Sequence, residues 1–577
     1  MKQLQRFGIL GLIAMLAFAA ACSNSGGSTN GTGTDNAPAN EAAANEGASG
    51  DNTAASGNEA AGSVKYDPPI TVTAVRDQDP SMAFKPGEDI SNNAWIKAYK
   101  DELGIELKYE WIVPSDQYDA KMNIAISSNQ LPDIFRVNAS QLQQLVRAGK
   151  VADLTEAYET HATELTRQSI ELGQLAKAAA TFDGKLMALP PDEGGYEGSL
   201  QLLWLRSDWL KKLNLEQPKT WDDLEKIMDA FANRDPDGNG KKDTYGLALT
   251  KDLYGNGVAE TTGVFNAFGA FPNIWIEGGD GSIVYGSIQP EVRTALAKLQ
   301  ELYKRGLIDP EFGVKDGGML GEDFANNKIG VNMGALWNSL WPLQDSVSNN
   351  PEADWTVGPL VSATGNPVQY TANLDFNSFW VANKKAKNPE ALIKLFNLGN
   401  EKIYSGNADP KVFHTEIVDG KEYGHFKEAL VQGAGSNPIG GNFGHYKKVT
   451  AALDAKDPSG LNPEQKGYYD KIVAFEGGDR ATWGTMRVFG HESAYKVIEG
   501  IYENKDQNVK FTKFYGAPTK TMAQKRATLE KMQLETFTNI ILGAPIEEFD
   551  KFAENWKKLG GDQMTKEVNE WYAAQPK

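Results

Sequence analysis

From residue 65 onward, apolar positions follow two alternating periods along the chain. Ile70-Thr71-Val72-Thr73-Ala74-Val75 is a β-branched run that predicts a core strand. Trp95, Ile96, Tyr99 and Leu103 then fall on one face of a predicted helix that begins near Ser91 or Asn92 and stops at Gly104. Ile105 to Trp111 alternates apolar with polar side chains and predicts a second strand. Tyr118 to Ser127 reads as a helix, Asp133 to Val137 as a third strand, and Gln141 to Ala148 as an amphipathic helix closed by Gly149. After Gly184-Lys185-Leu186-Met187-Ala188-Leu189-Pro190 the pattern restarts with an apolar run from Ser199 to Leu205. Pro218-Lys219-Thr220-Trp221-Asp222-Asp223-Leu224 opens a further helix, where Thr220 can cap orphan amides and Asp223 can bond back. Such strand–helix alternation predicts an α/β layer architecture with mostly parallel strands.

The N-terminal 64 residues follow neither period. Lys2 and Arg6 precede an apolar run from Phe7 to Phe18, and Ala19-Ala20-Ala21 stands directly before Cys22. This is the layout of a secretory signal peptide, too short to span a bilayer comfortably. Residues 23–63 are rich in Ser, Gly, Asn, Thr and Ala, with no apolar side chain larger than Ala. Such a segment cannot bury enough surface to offset its ordering entropy and predicts a flexible tether, spanning on the order of 35 Å. Cys22 is the only cysteine of the 577 residues, which excludes an intramolecular disulfide and a thiolate metal cluster. The net charge of −18 argues against nucleic acid as a partner.

Ala19-Ala20-Ala21-Cys22 resembles a bacterial lipobox, in which the thiol is acylated, although the position usually held by Leu is Ala19 here. Together with Asp183-Gly184-Lys185-Leu186-Met187-Ala188-Leu189-Pro190, the Pro-x-Thr-Trp-Asp-Asp helix start and the C-terminal Phe549-Asp550-Lys551-Phe552, Trp556-Lys557-Lys558-Leu559-Gly560-Gly561-Asp562-Gln563 and Glu567-Val568-Asn569-Glu570-Trp571-Tyr572, it is similar to family 1 extracellular solute-binding proteins of ABC importers, in their long lipoprotein branch. The resemblance covers essentially all of residues 65–577. It implies a two-lobed periplasmic-binding-protein-like α/β fold with several inter-lobe crossings, placed near Leu189–Ser199, Thr371–Val381 and Tyr515–Thr521. The expected organisation is a signal peptide at 1–21, lipidated Cys22 and linker at 22–64, a first lobe at 65–192 plus 378–512, and a second lobe at 193–377 plus 513–577. It also implies permease subunits of an ABC importer as partners and a location on the outer face of a bacterial cell membrane. A monomer is expected.

One loop carries metal-ligand spacing on its own. Asp235-Pro236-Asp237-Gly238-Asn239-Gly240-Lys241-Lys242-Asp243 places oxygen side chains at loop positions 1, 3, 5 and 9 and glycine at 6. Asp235, Asp237, Asn239 and Asp243, with the Lys241 carbonyl, therefore form a candidate Ca²⁺ site. Position 12 is Gly246, where an EF-hand would carry a bidentate Glu, so the loop is not a complete EF-hand.

Sugars present C–H faces that pack on aromatic rings and hydroxyls that need convergent polar partners, and the chain holds 13 Trp and 20 Tyr. Candidate ligand contacts are those near strand ends, crossings and loops: Arg76, Asp77 and Gln78 after the first strand, Tyr196 beside the first crossing, Trp337 and Trp341, Asp375 and Trp380 at the second crossing, and Trp483 with Arg487. The histidines are scattered, and neither a nucleophile elbow nor a phosphate loop is present. No catalytic residue is nominated. A secreted polysaccharide hydrolase is the alternative, because among 76 acidic residues some carboxylate pair will always be close. The expectation is thus a lipid-anchored binding protein for a carbohydrate, an oligosaccharide by preference, that works by hinge closure.

Overall fold

The first β-branched run forms β1 (Ile70–Gln78), and its helix follows as α1 (Ala94–Leu103). Asn93 starts α1 by accepting hydrogen bonds from the amides of Trp95 and Ile96. Gly104 ends it in the left-handed region, φ 68°, where a Cβ would meet the Tyr66 carbonyl oxygen at 2.4 Å. β2 (Ile105–Pro114), α2 (Tyr118–Ser128), β3 (Ile134–Val137) and α3 (Ala139–Arg147) complete the opening pattern, with a reciprocal Asn138–Gln141 capping box at the start of α3. β1 lies between β2 and β3 and is parallel to both. At the entrance to β3, the Asp133 carboxylate accepts from the Thr73 amide and hydroxyl at 2.9 and 2.8 Å, which fixes one strand against the other.

A second sheet follows, built from β4 (Leu202–Arg206), β5 (Tyr245–Leu247), β6 (Ile329–Gly334) and β7 (Trp355–Gly358) in the order β7-β4-β6-β5. The helix α4 (Trp221–Asn233) begins with the Thr220–Asp223 capping box that the sequence predicts. The chain then returns to the first sheet as β8 (Phe379–Ala382), giving the order β8-β3-β1-β2. In this computed structural model the described residues are 65–79, 82–190, 196–254, 257–372, 378–405, 408–418, 421–431 and 441–575. The predicted signal peptide, Cys22 and tether therefore lie outside them, as does Asp375. Among the described residues no helix is long and apolar enough to cross a membrane.

Each sheet has its own core. Val72, Val75, Trp95, Tyr99, Phe135, Leu189, Phe379 and Phe396 belong to the first, and Leu203, Trp204, Phe231, Phe265, Val331, Trp355 and Phe537 to the second. The chain passes from the first core to the second between Leu189 and Leu200, and returns between Ala372 and Phe379. The next passage falls between Val431 and Tyr446, because Tyr446, Val449, Ile472, Trp483 and Tyr495 all pack into the second core. The family resemblance places 441–511, as part of 378–512, with the first lobe. The buried contacts place it with the second, since its helices have apolar faces that either core would accept and only long-range packing decides between them.

Both sheets are mostly parallel, each with one strand running against the rest. β4 is antiparallel to both of its neighbours, and β8 is antiparallel to β3. These two strands are the ones that arrive directly from a crossing. Parallel strands in such sheets run toward the side from which the crossings leave, so a strand coming back from that side runs the other way.

Candidate functional site

At the C-terminal ends of β1, β2 and β3 the chain collects a polar and aromatic cluster. One Asp77 carboxylate oxygen accepts from the Arg136 guanidinium at 3.1 Å and the other from the Ser115 hydroxyl at 2.8 Å. Arg136 also lies over the Tyr118 ring, 4.8 Å from its centroid, and Tyr118 packs 5.4 Å from Trp111. Burial raises the Tyr118 hydroxyl far above the usual phenol range and keeps it neutral. Trp380 on β8 stands in register with Arg136, and Gln78 is exposed at the end of β1. Of the residues nominated on this side, Asp77, Gln78 and Trp380 thus sit at the C-terminal end of the parallel strands, whereas Arg76 is turned away. The guanidinium of Arg76 is 7 % exposed and donates to the carbonyls of Lys427 and Glu428, so its donors are spent on the fold.

On the second lobe, Trp337 follows β6 in the turn Leu336–Ser339 and packs its ring on the Gly257 backbone. The turn Tyr196–Ser199 lies next to it, which brings two nominated segments together. Trp341 rests against Gly317 and Gly321 and remains 41 % exposed. Trp483 and Arg487 are structural in their contacts. The Trp483 indole donates to Asp354 at 2.9 Å, and Arg487 contacts the same carboxylate at 3.3 and 3.4 Å. Burial alone would raise the Asp354 carboxyl; the Arg487 charge and the hydrogen bonds from Ser207, Trp483 and Arg487 outweigh it and hold the group below its usual value.

A cleft of about 580 Å³ in the second lobe reaches the first lobe at Ala139, the first residue of α3, and its lining includes neither the Asp77–Arg136 cluster nor Trp337. Asp252, Tyr254, Phe514 and Arg526 line it from the second lobe, and Tyr515, packed against the first core, also lines it. Its floor is a stack of three rings. Tyr285 and Trp556 are parallel within 6° at 4.8 Å, and Trp275 meets Tyr285 at 5.1 Å. Trp275 and Trp556 are 7 and 3 % exposed, so they support the cleft, and the half-buried Tyr285, Phe514 and Tyr515 offer the rings within reach of a ligand. Sequence reading missed this floor. Trp556 stands in a family motif, but nothing local marks it as a partner of Trp275 and Tyr285. A roomier hollow of about 750 Å³ lies at the opposite end of the first sheet, around Asp133, Lys150 and Lys384, and no aromatic side chain lines it.

The Asp235–Asp243 loop follows α4. Asp235 adopts φ 48°, and Gly240 takes φ 77°. The Asn239 amide donates to Asp237 at 2.6 Å and to Asp243 at 3.1 Å, and the Gly240 amide donates to Asp235 Oδ2 at 3.1 Å. Asp235 Oδ1 is buried without a hydrogen-bond partner. Burial, the adjoining Asp235 carboxyl and the Asp243 charge push the Asp237 carboxyl up. Converging carboxylates with an orphaned buried oxygen fit a hard cation. Gly246 explains the missing twelfth ligand: β5 packs so closely on α4 that a Cβ there would lie 2.8 Å from the Met228 carbonyl oxygen.

The family model for bacterial extracellular solute-binding proteins matches residues 94–397, more than half of the chain. Lipoprotein LipO of Bacillus subtilis (strain 168) is 23 % identical over 83 % of this chain and 88 % of its own length. The fructooligosaccharide ABC transporter substrate-binding protein FusA of Streptococcus pneumoniae serotype 4 is 30 % identical over 39 % of this chain and 43 % of its own. In solved structures, FusA in complex with kestose superposes with a TM-score of 0.56 at 19 % identity, covering 87 % of this chain and 99 % of that one. A FusA EF-hand mutant in complex with fructo-nystose gives 0.56 at 18 % identity, covering 87 and 99 %. The HMO binding ABC-transporter associated solute binding protein from Bifidobacterium longum infantis gives 0.59 at 16 % identity, covering 87 and 98 %. At these identities the structural likeness shows the two-lobed fold.

Proposed function

The chain belongs to the bacterial extracellular solute-binding protein family, and from that membership we propose that it captures a carbohydrate, by preference an oligosaccharide, for an ABC importer. The family and these relatives are solute-binding proteins, so the protein is a binder and not an enzyme. The observation that carries the carbohydrate reading is the ring-floored cleft, which pairs apolar faces with Asp252 and Arg526 at its wall and opens toward Ala139 of the other lobe. FusA, whose name specifies fructooligosaccharides, supports the same substrate class.

Capture proceeds by hinge closure. Leu189 and Trp380, the first-lobe residues that border two of the crossings, exchange backbone hydrogen bonds at 2.8 and 3.2 Å, which brings the two strands side by side where they leave that lobe. In this reading a glycan seated on Tyr285 and Tyr515 gains further first-lobe partners when the lobes approach, with Asp77, Arg136 and Trp380 as the candidate hydrogen-bonding groups and ring face. Those contacts favour the closed form. In the loop, Asp235, Asp237, Asn239 and Asp243 with the Lys241 carbonyl would hold Ca²⁺, which cancels carboxylate repulsion and stiffens the α4–β5 connection; the FusA EF-hand mutant supports a metal loop in this family. Cys22 carries the lipid anchor in this reading, supported by the lipoprotein relative LipO.

A thermal-shift screen of the chain from residue 23 against mono- and oligosaccharides, with Ca²⁺ or with chelator, tests the proposal. At a hundred times its dissociation constant a bound glycan adds about 2.7 kcal/mol. A shift with one glycan class, the glycan recovered intact, is the expected result; cleaved glycan would promote a hydrolase, and no shift with any sugar would reject carbohydrate as cargo. Chelator should lower the melting temperature of the wild type and leave Asp237→Asn unmoved.

A further inference from the structure

In the first lobe, the turn His425–Glu428 carries two buried ionisable side chains that the binding cleft does not use. His425 is 2 % and Glu428 2 % exposed. One His425 ring nitrogen, Nδ1, meets Glu428 Oε1 at 2.8 Å. The other nitrogen, Nε2, and the second Glu428 oxygen, Oε2, are buried with no hydrogen-bond partner. Glu88, half-buried on the loop before α1, brings a third ligand atom, and the three lie within 4.8 Å of one another. Glu416 stands at the edge, its Oε2 3.6 Å from His425 Nε2, which is too far for a hydrogen bond.

An unpaired buried carboxylate oxygen and an unpaired imidazole nitrogen each leave a desolvation penalty unrelieved. The charges explain what is missing. Lys85 pairs with Glu416, and Arg76 is directed to the carbonyls of Lys427 and Glu428. Among the described residues no lysine or arginine nitrogen forms an ion pair with the Glu88 or Glu428 carboxylate. The turn is also held more firmly than a surface turn requires. The Trp95 indole donates to the His425 carbonyl at 2.8 Å, the Arg76 guanidinium bridges the carbonyls of Lys427 and Glu428, and the Leu430 amide donates to the Tyr99 hydroxyl at 2.9 Å. Backbone clamps of this kind orient metal ligands and fix their rotamers.

We propose that Glu88, His425 and Glu428, with Glu416 beside them, bind a borderline divalent transition cation, Zn²⁺ foremost. One imidazole with carboxylates and an open position for water suits zinc and excludes the all-oxygen preference of Ca²⁺ and Mg²⁺. Tetrahedral ligands about 2.0–2.2 Å from the ion stand about 3.3–3.6 Å apart, so the present cluster needs to contract by about 1 Å. The ion would tie the loop before α1 to the turn that follows the Lys421–Tyr423 strand, and so stiffen the first lobe apart from the calcium loop of the second.

The test is competition titration of Zn²⁺ into untagged protein against a chromophoric chelator, with excess Ca²⁺ present to occupy the Asp235–Asp243 loop. One equivalent should bind with a dissociation constant below about 1 μM. Glu88→Gln and His425→Gln should each weaken it at least 30-fold, and Asp237→Asn should leave it unchanged. Glu88→Gln changes only a half-buried loop side chain, so it reports on ligation even where His425→Gln fails to fold. Co²⁺ substitution should add visible d–d bands of a low-symmetry site with one nitrogen ligand. Wild-type protein that binds no Zn²⁺ below 100 μM, or Glu88→Gln binding as tightly as wild type, would overturn the assignment and leave a buried histidine–carboxylate pair.

Discussion

Tyr515→Ala and Trp556→Ala separate the wall of the cleft from its floor. Tyr515 is half-buried at the cleft and touches Trp571 edge-on at 4.9 Å and 87°. A pyranose or furanose ring laid on its outer face covers roughly 60–80 Å² of apolar surface, worth about 1.5–2 kcal/mol. Its removal should raise the glycan dissociation constant roughly 10–30-fold. The stability cost stays near the aromatic-pair contribution, about 0.5–1.5 kcal/mol. Trp556 is 3 % exposed, stacks on Tyr285, and lies so close beneath the Gly561 backbone that a Cβ there would come within 2.1 Å of its ring. Truncating it opens a cavity that the neighbouring backbone cannot fill, at about 3–5 kcal/mol. For a lobe of this size that lowers Tm by roughly 6–20 °C. The assays are isothermal titration with the glycan that gives the largest shift in the wild type, and calorimetric melting without ligand. Tyr515→Ala that binds with wild-type affinity would refute the cleft as the sugar site. Trp556→Ala that melts like the wild type would refute the account of its floor.

Asp354→Ala should destabilise the second lobe by about 1–3 kcal/mol, because it leaves the Trp483 N–H without its acceptor and the buried Arg487 guanidinium with only Glu492 as a partner; denaturant unfolding followed by Trp fluorescence measures it, and a loss under 1 kcal/mol would detach the helix Trp483–Phe489 from that lobe. For Glu567, hydrogen bonds from Thr519, Thr521 and Gln563 outweigh the opposing effect of burial and bring its carboxyl down to about 2. A depressed carboxyl contributes stability above the unfolded pKa near 4.3 and loses it as pH falls toward 2. Melting curves should therefore show Glu567→Gln less stable than wild type at pH 6, with the gap closing between about pH 4 and pH 2; a gap independent of pH would assign the effect to packing.

The elements were legible because they are governed locally. Asn93, Asn138 and Thr220 cap helices by hydrogen bonds within three residues, and Gly104 ends one by steric permission, so each leaves a mark in a short stretch of sequence. Asp77, Gln78 and Trp380 follow a related rule: sheet topology alone places them at the C-terminal ends of the parallel strands. The remaining nominations show where this logic stops. Arg76 follows the same rule as Asp77, but its side chain points to the opposite face of β1 and meets carbonyls of a turn more than three hundred residues further along the chain. Trp483 and Arg487 converge on Asp354 rather than on a ligand, and nothing near them in sequence distinguishes the two uses of a buried Trp–Arg pair. Trp275, Tyr285 and Trp556 form the cleft floor only because the C-terminal helices fold back across the hairpin of Trp275 and Tyr285.

The crossings connect the fold to the mechanism more closely than any single contact does. β4 and β8 each arrive directly from a crossing, and each runs against its sheet. This arrangement brings Leu189 and Trp380 side by side as paired strands rather than as separate loops. Trp380 is at the same time in register with Arg136, whose guanidinium holds Asp77 at the C-terminal ends of the first-lobe strands. In the proposed reading, a ligand that draws on Asp77 and Arg136 therefore acts beside a strand that borders a crossing. The energy available for closure is bounded by how much better the closed cleft holds the glycan than the open one. In the proposed reading, the rings of the cleft set affinity in both states, and the polar cluster of the first lobe sets the difference between them.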